Sequence, residues 1–290
     1  MASVTIGKFQ ILGTLGQGAH STILHVRRSA DSKQYALKVV PINSKDDHKF
    51  LDQARHEFEV AQRLDHPHLI KIHALEEQRD WLFRVKKVHL LVDYVNGKTM
   101  DQFQRVKLPH LVQIFARVAS GLAHMHRRRV LHADLKPNNI LLSHTGDVKV
   151  IDYGLAWIKG ENKDRVQGTP EYMAPEQARK KMVNEQTDIY NFGATMYRLV
   201  TLRLPPSPLP GKGGLMLDGK TWDAAIKPVT ECCTGVPPAL GMLIERCLSY
   251  TPSKRPERVS ELLTALESLA QDLVREPEDE LSALDWTGNE

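Results

Sequence analysis

The period of the apolar pattern changes once along this chain, and that change limits what the chain can fold into. Up to about Val95 the apolar residues come in short runs bounded by turn residues. The runs are 9–15, which ends at Gly16, then 21–26, then 34–40 with Asp31 and Ser32 in the turn before it, then 69–75 and 88–95. Such runs predict strands. One helical stretch, 47–64, interrupts them and is stopped by His66-Pro67. After Asn96-Gly97 the spacing turns helical. Leu111, Phe115, Val118 and Leu122 make one stripe along 108–127, and 187–202, 239–248 and 258–273 repeat the pattern. The reading is α+β: an antiparallel sheet with one helix over 1–95, a larger, mainly helical part over 96–275, and a short tail over 276–290.

Composition removes several classes. The chain has 290 residues, 41% of them hydrophobic and 26% charged, which suffices for a core without disulfides. No window approaches the apolar length of a membrane span, and MASVTIGKFQ lacks the pattern of a signal peptide. Cys232, Cys233 and Cys247 are an odd, sparse set, which points to a reducing compartment and a cytoplasmic location. The net charge of +4 is too mild to announce nucleic acid, but it is unevenly spread. The tail, EPEDELSALDWTGNE, holds six acids and neither Lys nor Arg, so the remainder carries +10. A basic body suits an anionic ligand or surface.

Four features carry chemistry. Gly16-Gln17-Gly18 lies between two strand-like runs, where paired glycines let a backbone approach a phosphate; alone it reads as readily as a hairpin turn. Period-two alternation puts Ala36, Lys38 and Val40 on one strand face. In the helix that follows, Phe50, Ala54, Glu57, Ala61 and Leu64 share a stripe, while Glu59 turns about 200° away to solvent. A carboxylate on a buried stripe needs a cation, and Lys38 is the predicted partner of Glu57. The densest feature is His132-Ala133-Asp134-Leu135-Lys136-Pro137-Asn138-Asn139. Within six residues it supplies a carboxylate for an acceptor hydroxyl, a cation for a phosphate and an oxygen ligand for a metal. An apolar run, 148–151, then leads into Asp152-Tyr153-Gly154.

The order of these features, followed by Gly168-Thr169-Pro170-Glu171-Tyr172-Met173-Ala174-Pro175-Glu176, resembles that of a eukaryotic-type serine/threonine protein kinase from about Phe9 to about Leu273. The segments 168–177 and 187–193 look most like the bacterial, Hanks-type branch. The resemblance implies a bilobal protein-kinase-like fold, with 1–95 and 96–275 as its lobes, and use of ATP and Mg²⁺. By resemblance Gly16 and Gly18 roof the phosphates, Ala36 lies against adenine, and the backbone at Asp93 and Val95 hydrogen-bonds it, with Val92 as gatekeeper. Lys38, oriented by Glu57, would hold the α- and β-phosphates. Asp134 would accept the substrate hydroxyl proton, Lys136 would steady the γ-phosphate, and Asn139 and Asp152 would hold Mg²⁺. Lys136-Pro137 together with Thr169, whose hydroxyl reaches towards the catalytic Asp beside the bound substrate, implies serine/threonine specificity. Glu176 would pair with Arg255, and Asp188 would hold the catalytic-loop backbone. Protein substrates are the implied partners, and nucleic acid is not.

Three departures stand out. Ala133 replaces the Arg that gathers an activation-loop phosphate in the family, and Thr169 is the only Ser or Thr between Asp152 and Glu176. Activation without loop phosphorylation is therefore expected. Tyr153 replaces the usual Phe and brings a hydroxyl that needs a partner if buried. Ala61 replaces a larger brace four residues after Glu57, which predicts a loosely held helix open to a regulatory partner or a dimer contact. Two rival readings have distinguishing marks. A small-molecule kinase of the aminoglycoside or choline type would lack the 168–176 segment and its Arg255 partner. A pseudokinase would lack a catalytic residue, and every such position is filled.

Overall fold

A computed structural model describes residues 5–18, 20–161, 168–179, 183–209 and 218–273. The acidic tail 276–290 lies outside the described residues, as does part of the Pro- and Gly-rich stretch 204–214. The described chain forms two compact units. The first takes the residues up to Asp65, then Leu69–Asn96 and Asp152–Gly154; the second takes His66–His68, Gly97–Ile151 and the chain from Leu155 on.

The first unit is an antiparallel sheet of six strands: β1 (Thr5–Ile6), β2 (Phe9–Gly18), β3 (Ser21–Arg28), β4 (Gln34–Pro41), β5 (Ile72–Arg79) and β6 (Val85–Asp93). Their order is β1-β2-β3-β4-β6-β5. Phe9, Val26, Tyr35 and Leu37 form one buried cluster on this sheet. Helix α1 (His48–Gln62) packs beside β4, β5 and β6 and buries Leu51, Ala54, Glu57, Val60 and Ala61. Its 4-3 stripe predicts most of that face. The strand expected at 69–75 is displaced. It starts at Ile72, while Leu69 and Ile70 are buried by packing outside the sheet, so their apolar character says nothing of strand pairing. At its other end the strand runs on through polar residues to Arg79, because its outer face is exposed.

The second unit is built on α2 (Leu108–Arg127), which buries thirteen of its twenty residues. Two small sheets accompany it: β7 (Gly97–Thr99), β9 (Ile140–Ser143) and β10 (Val148–Val150) in the order β10-β9-β7, and β8 (Val130–Leu131) with β11 (Trp157–Ile158). Gly97 is required at the β7–β9 crossing, where an added Cβ would lie 2.0 Å from the Leu142 carbonyl oxygen. Then come α3 (Pro175–Ala178), α4 (Glu185–Thr201), α5 (Gly219–Ala225), α6 (Val229–Cys232), α7 (Pro238–Cys247) and α8 (Val259–Leu273). Helix α4 begins two residues before the apolar pattern implies, because the Asn184 side chain accepts the Gln186 N–H at 2.9 Å and caps it. Helix α8 packs along α2, and α7 along α4. No described helix is long and apolar enough to cross a membrane.

Candidate active site

In the first unit, β4 sits between β3 and β6, with Lys38 opposite Ile23 on one side and Leu90 on the other. This central position fixes the lysine backbone. Lys38 Nζ donates to Glu57 Oε2 at 2.7 Å and lies 3.9 Å from Asp152 Oδ1. Burial opposes the charge on Lys38, but the Glu57 and Asp152 carboxylates outweigh it and hold the ammonium above its ordinary value. Burial likewise pushes the Glu57 carboxyl up, against the pull of Lys38. The result is a cation fixed by one buried acid and one half-exposed acid.

Asp152 is reached through a left-handed backbone turn (φ 66°), and its Oδ1 accepts the Gly154 N–H at 3.2 Å. The Tyr153 side chain between them is fully buried, and its hydroxyl donates to the Ile70 carbonyl at 2.9 Å. The extra hydroxyl therefore has the partner that burial demands. Gly16 and Gly18 stand at the far end of the β2–β3 ladder, opposite Ile23 and Ser21. A Cβ on Gly16 would meet nothing within 4 Å, and on Gly18 its close contact would be Ser21 Oγ at 2.8 Å. Packing within the protein does not demand glycine at position 16, which leaves room there for close approach of a ligand. Ala36 is buried opposite Val92, and Asp93 ends β6 with its N–H bonded to the Lys71 carbonyl; Val95 lies just past that strand.

The second unit assembles a different cluster. Asp134 is buried, and both carboxylate oxygens are engaged: Oδ1 accepts the Thr169 N–H at 2.7 Å and Oδ2 accepts from Lys136 Nζ at 2.8 Å. Lys136 Nζ also donates to Thr169 Oγ1 at 2.7 Å. Thr169 therefore touches the acid through its backbone and the lysine through its hydroxyl. Asn139 sits in a short turn whose N–H returns to the Lys136 carbonyl, and its Nδ2 donates to the Asp134 carbonyl at 2.9 Å. With the amide nitrogen committed, the amide oxygen is the donor atom Asn139 has left to offer.

Beneath this cluster lies a fully buried carboxylate. Asp188 on α4 accepts the His132 N–H at 2.9 Å and the Ala133 N–H at 2.7 Å, and His126 Nε2 donates to it at 2.8 Å. Burial works against its charge, yet His126 and these backbone donors hold the carboxyl below its ordinary value. Ala133 is itself left-handed (φ 62°), and its carbonyl accepts from Gln177 Nε2 at 2.8 Å. His126 and Gln177 are supports that sequence reasoning missed. Only the position of Gln177, next to Glu176, hints at its role. His124 lies against His66, their ring centroids 5.2 Å apart.

Two further findings concern the segment after Asp152. Ala133 packs with Leu131 and Val183, with Trp157 against them, so apolar side chains fill the place where the family has its Arg. Glu176 is bound by Arg255 through a two-pronged pair at 2.7 and 2.8 Å, with the guanidinium fully buried.

The residues of the first unit fit an anionic nucleotide: Gly16 offers backbone in open space, Lys38 a fixed cation and Asp152 a half-exposed carboxylate. In the second unit Asn139 offers an amide oxygen of the kind a hard cation takes. Oxygen donors of this kind suit Mg²⁺.

Comparison with known proteins agrees with this chemistry. Residues 9–268 match the family described as protein kinase domain. The chain is similar to the serine/threonine-protein kinase PrkC of Bacillus subtilis, 26% identical over 88% of this chain and 39% of that protein. It is also similar to the serine/threonine-protein kinase pkn3 of Myxococcus xanthus, 27% identical over 91% of this chain and 50% of that protein. A third relative is the serine/threonine-protein kinase PknD of Chlamydia pneumoniae, 26% identical over 90% of this chain and 31% of that protein. The chain thus spans between 31% and 50% of the length of these relatives.

Proposed function

The chain belongs to the protein kinase domain family, and from that premise we propose that it transfers the γ-phosphate of ATP to Ser and Thr hydroxyls of protein substrates. The observation that carries this reading is the Asp134–Lys136–Thr169 cluster, with an acid, a cation and a threonine within 2.8 Å of one another.

The first unit holds the nucleotide. Gly16 and Gly18 cover the phosphates with backbone N–H groups, Lys38 binds the α- and β-phosphates, and Ala36, Asp93 and Val95 receive the adenine. Glu57 keeps Lys38 from wandering, which is positioning rather than chemistry. In the second unit, Asp134 orients the acceptor hydroxyl and takes its proton. The acceptor oxygen forms a bond to the γ-phosphorus, the bond from that phosphorus to the β-bridging oxygen breaks, and its electron pair leaves with ADP. Lys136 stabilises the charge on the γ-phosphoryl oxygens. Asn139 and Asp152 would hold Mg²⁺, which when bound supplies positive charge to the phosphate oxygens.

The reading extends to regulation and setting. The apolar cluster around Ala133 offers no cation to an activation-loop phosphate, and the Thr169 hydroxyl already receives Lys136. Both support activity without loop phosphorylation. The small, buried Ala61 on α1 supports control of that helix by a regulatory partner or a second copy. Free thiols at Cys232, Cys233 and Cys247 support a reducing, cytoplasmic setting.

The test is transfer of radiolabel from γ-labelled ATP to casein or myelin basic protein, with Asp134→Asn as control. Labelled phosphoserine and phosphothreonine, lost in the variant, is the expected result. Incorporation equal in both proteins, or none in either, sinks the reading.

A further inference from the structure

The tip of the β2–β3 hairpin touches α1 inside the first unit, through two residues to which the catalytic reading gives no role. The strands pair to the end of their ladder, Gly16 with Ile23 and Gly18 with Ser21, which leaves two residues for the turn. His20 is the second of them. Its imidazole lies on the Phe50 ring, with centroids 3.8 Å apart and planes 25° from parallel. The pairing is irregular between Ile11 and Gly13 and again between Thr14 and Gly16. Such irregularities bend a strand and raise its twist, so the tip of this hairpin is turned aside from the plane of its base.

Phe50 stands in the first turn of α1, and unlike Leu51, Ala54 and Glu57 it is not among the buried residues of that helix. Seven residues, close to two full turns, separate it from Glu57, so both side chains leave one helix face about 10 Å apart. His20 is exposed and Phe50 half-buried, so core packing does not compel their contact. The charged groups around the stack are few. Lys49 Nζ lies 4.9 Å from the centre of the Phe50 ring. The Asp47 carboxylate accepts the N–H groups of Asn43 and Ser44, both at 2.9 Å. Those donors hold its carboxyl below the ordinary value, and nearby His20 adds to the effect.

We propose that His20 and Phe50 are positioning residues for the nucleotide phosphates. Stacked, they fix the Gly16–Gly18 backbone to the helix whose Glu57 holds Lys38, so one face of α1 sets both groups that meet the phosphates. The role rests on the nucleotide reading of the first unit. Two glycines within three residues leave the tip many conformations, and ordering them when a ligand binds costs affinity. The stack orders the tip beforehand. It also gives α1 a second hold, two turns from the Lys38–Glu57 pair, on a helix where the small Ala61 fills little space.

The test is a double-mutant cycle on the Kd for methylanthraniloyl-labelled ATP with Mg²⁺, using the full chain, His20→Ala, Phe50→Ala and the double variant. Each single variant should bind about three- to tenfold more weakly, and the double variant no more weakly than either. His20→Phe, which keeps a ring at the exposed tip, should bind within about twofold of the parent, and His20→Gln should not. Amide hydrogen exchange of the unliganded chain is the second readout. His20→Ala should speed exchange of amides 52–55 in α1 by about threefold or more, although residue 20 lies outside that helix. Additive losses in the cycle, tighter binding by a single variant, a His20→Gln protein as tight as the parent, or unchanged exchange overturns the proposal. No binding by the parent chain removes the nucleotide reading and the positioning role with it. Binding by the parent that the variants leave unaltered removes the positioning role alone, so the two failures are distinguishable.

Discussion

Arg255 grips Glu176 with both prongs of its guanidinium, Nη1 to Oε1 at 2.7 Å and Nη2 to Oε2 at 2.8 Å, with no solvent on the arginine. The same guanidinium donates to the carbonyls of Ser249, Gln186 and Tyr250 and lies 5.0 Å over the Tyr190 ring. One side chain therefore ties α3, α4 and the turn before α8 together. Arg255→Ala leaves the Glu176 carboxylate with only the Thr187 hydroxyl and takes the donor from several carbonyls, and should destabilise the protein by about 3–5 kcal/mol. Arg255→Lys should recover little, because an ammonium cannot reproduce the fork. Chemical unfolding of the three proteins checks this, and a lysine variant as stable as the parent contradicts it.

Asp134 binds Thr169 and Lys136 at once, so the two sides of its role can be separated. Asp134→Asn keeps the size but not the basicity, and should lower kcat by about 10²–10⁴ with little change in the KM for ATP. Thr169→Ala removes only the hydroxyl contact to Lys136 and should cost less. Steady-state kinetics at varied ATP reads both; a change confined to KM would argue against the assigned roles.

How much of this was readable beforehand depends on where each partner lies along the chain. The Lys38–Glu57 pair was legible because two periodicities meet: alternation puts the lysine on an inner strand face, and 4-3 spacing puts the acid on the buried helix stripe. The Gly97 crossing falls where the apolar period changes. Asp188 was readable from the resemblance, but two other supports of the loop before Asp134, His126 and Gln177, were not legible. Gln177 reaches the Ala133 carbonyl from forty-four residues away, and no local pattern marks a side chain that will meet a distant backbone group. Nor does sequence flag the left-handed backbone of Ala133 and Asp152, since neither is glycine. The backbone N–H of Ala133 is held by Asp188, and Asp152 accepts the Gly154 N–H on its own carboxylate.

Asp188 gives the acid limb of stability a specific origin. Its unfolded value is near 3.8, and in the folded protein it lies lower. A depressed folded value stabilises the protein fully above the ordinary value, and that contribution is lost as pH falls through the folded one. Asp188→Asn should therefore be much less stable than the parent at neutral pH, with the gap closing as the medium is acidified through the carboxylate range. Urea unfolding across that range checks the sign, and a gap that widens towards acid contradicts it.

Tyr153 offers a smaller effect. Tyr153→Phe removes the donor to a buried Ile70 carbonyl and leaves that oxygen unpaired, at about 1–3 kcal/mol. The neighbouring Asp152 keeps its contacts to Gly154 and Lys38, so the rate should hold while the thermal midpoint drops by a few degrees. A rate loss without a stability loss would mean that the hydroxyl acts on Asp152 instead.

Ala133 bears on the proposed control of activity. Its side chain shares an apolar cluster with Leu131, Val183 and Trp157, and Trp157 is fixed by strand pairing to Leu131 and by donation from its Nε1 to the Glu161 carbonyl at 3.0 Å. The segment after Asp152 is thus anchored by burial at the point where the family uses an arginine and a phosphate. Phosphatase treatment should leave kcat within about twofold, since the described contacts that hold this segment, the Trp157 packing and the Lys159–Glu185 pair, involve no phosphate. Ala133→Arg should not add phosphate control. It should instead lower stability, because a guanidinium among three apolar side chains lacks a counter-ion. If dephosphorylation abolishes activity, and a phosphate mapped between Asp152 and Glu176 restores it, the segment is held by charge after all and the apolar anchor is not what sets the active state.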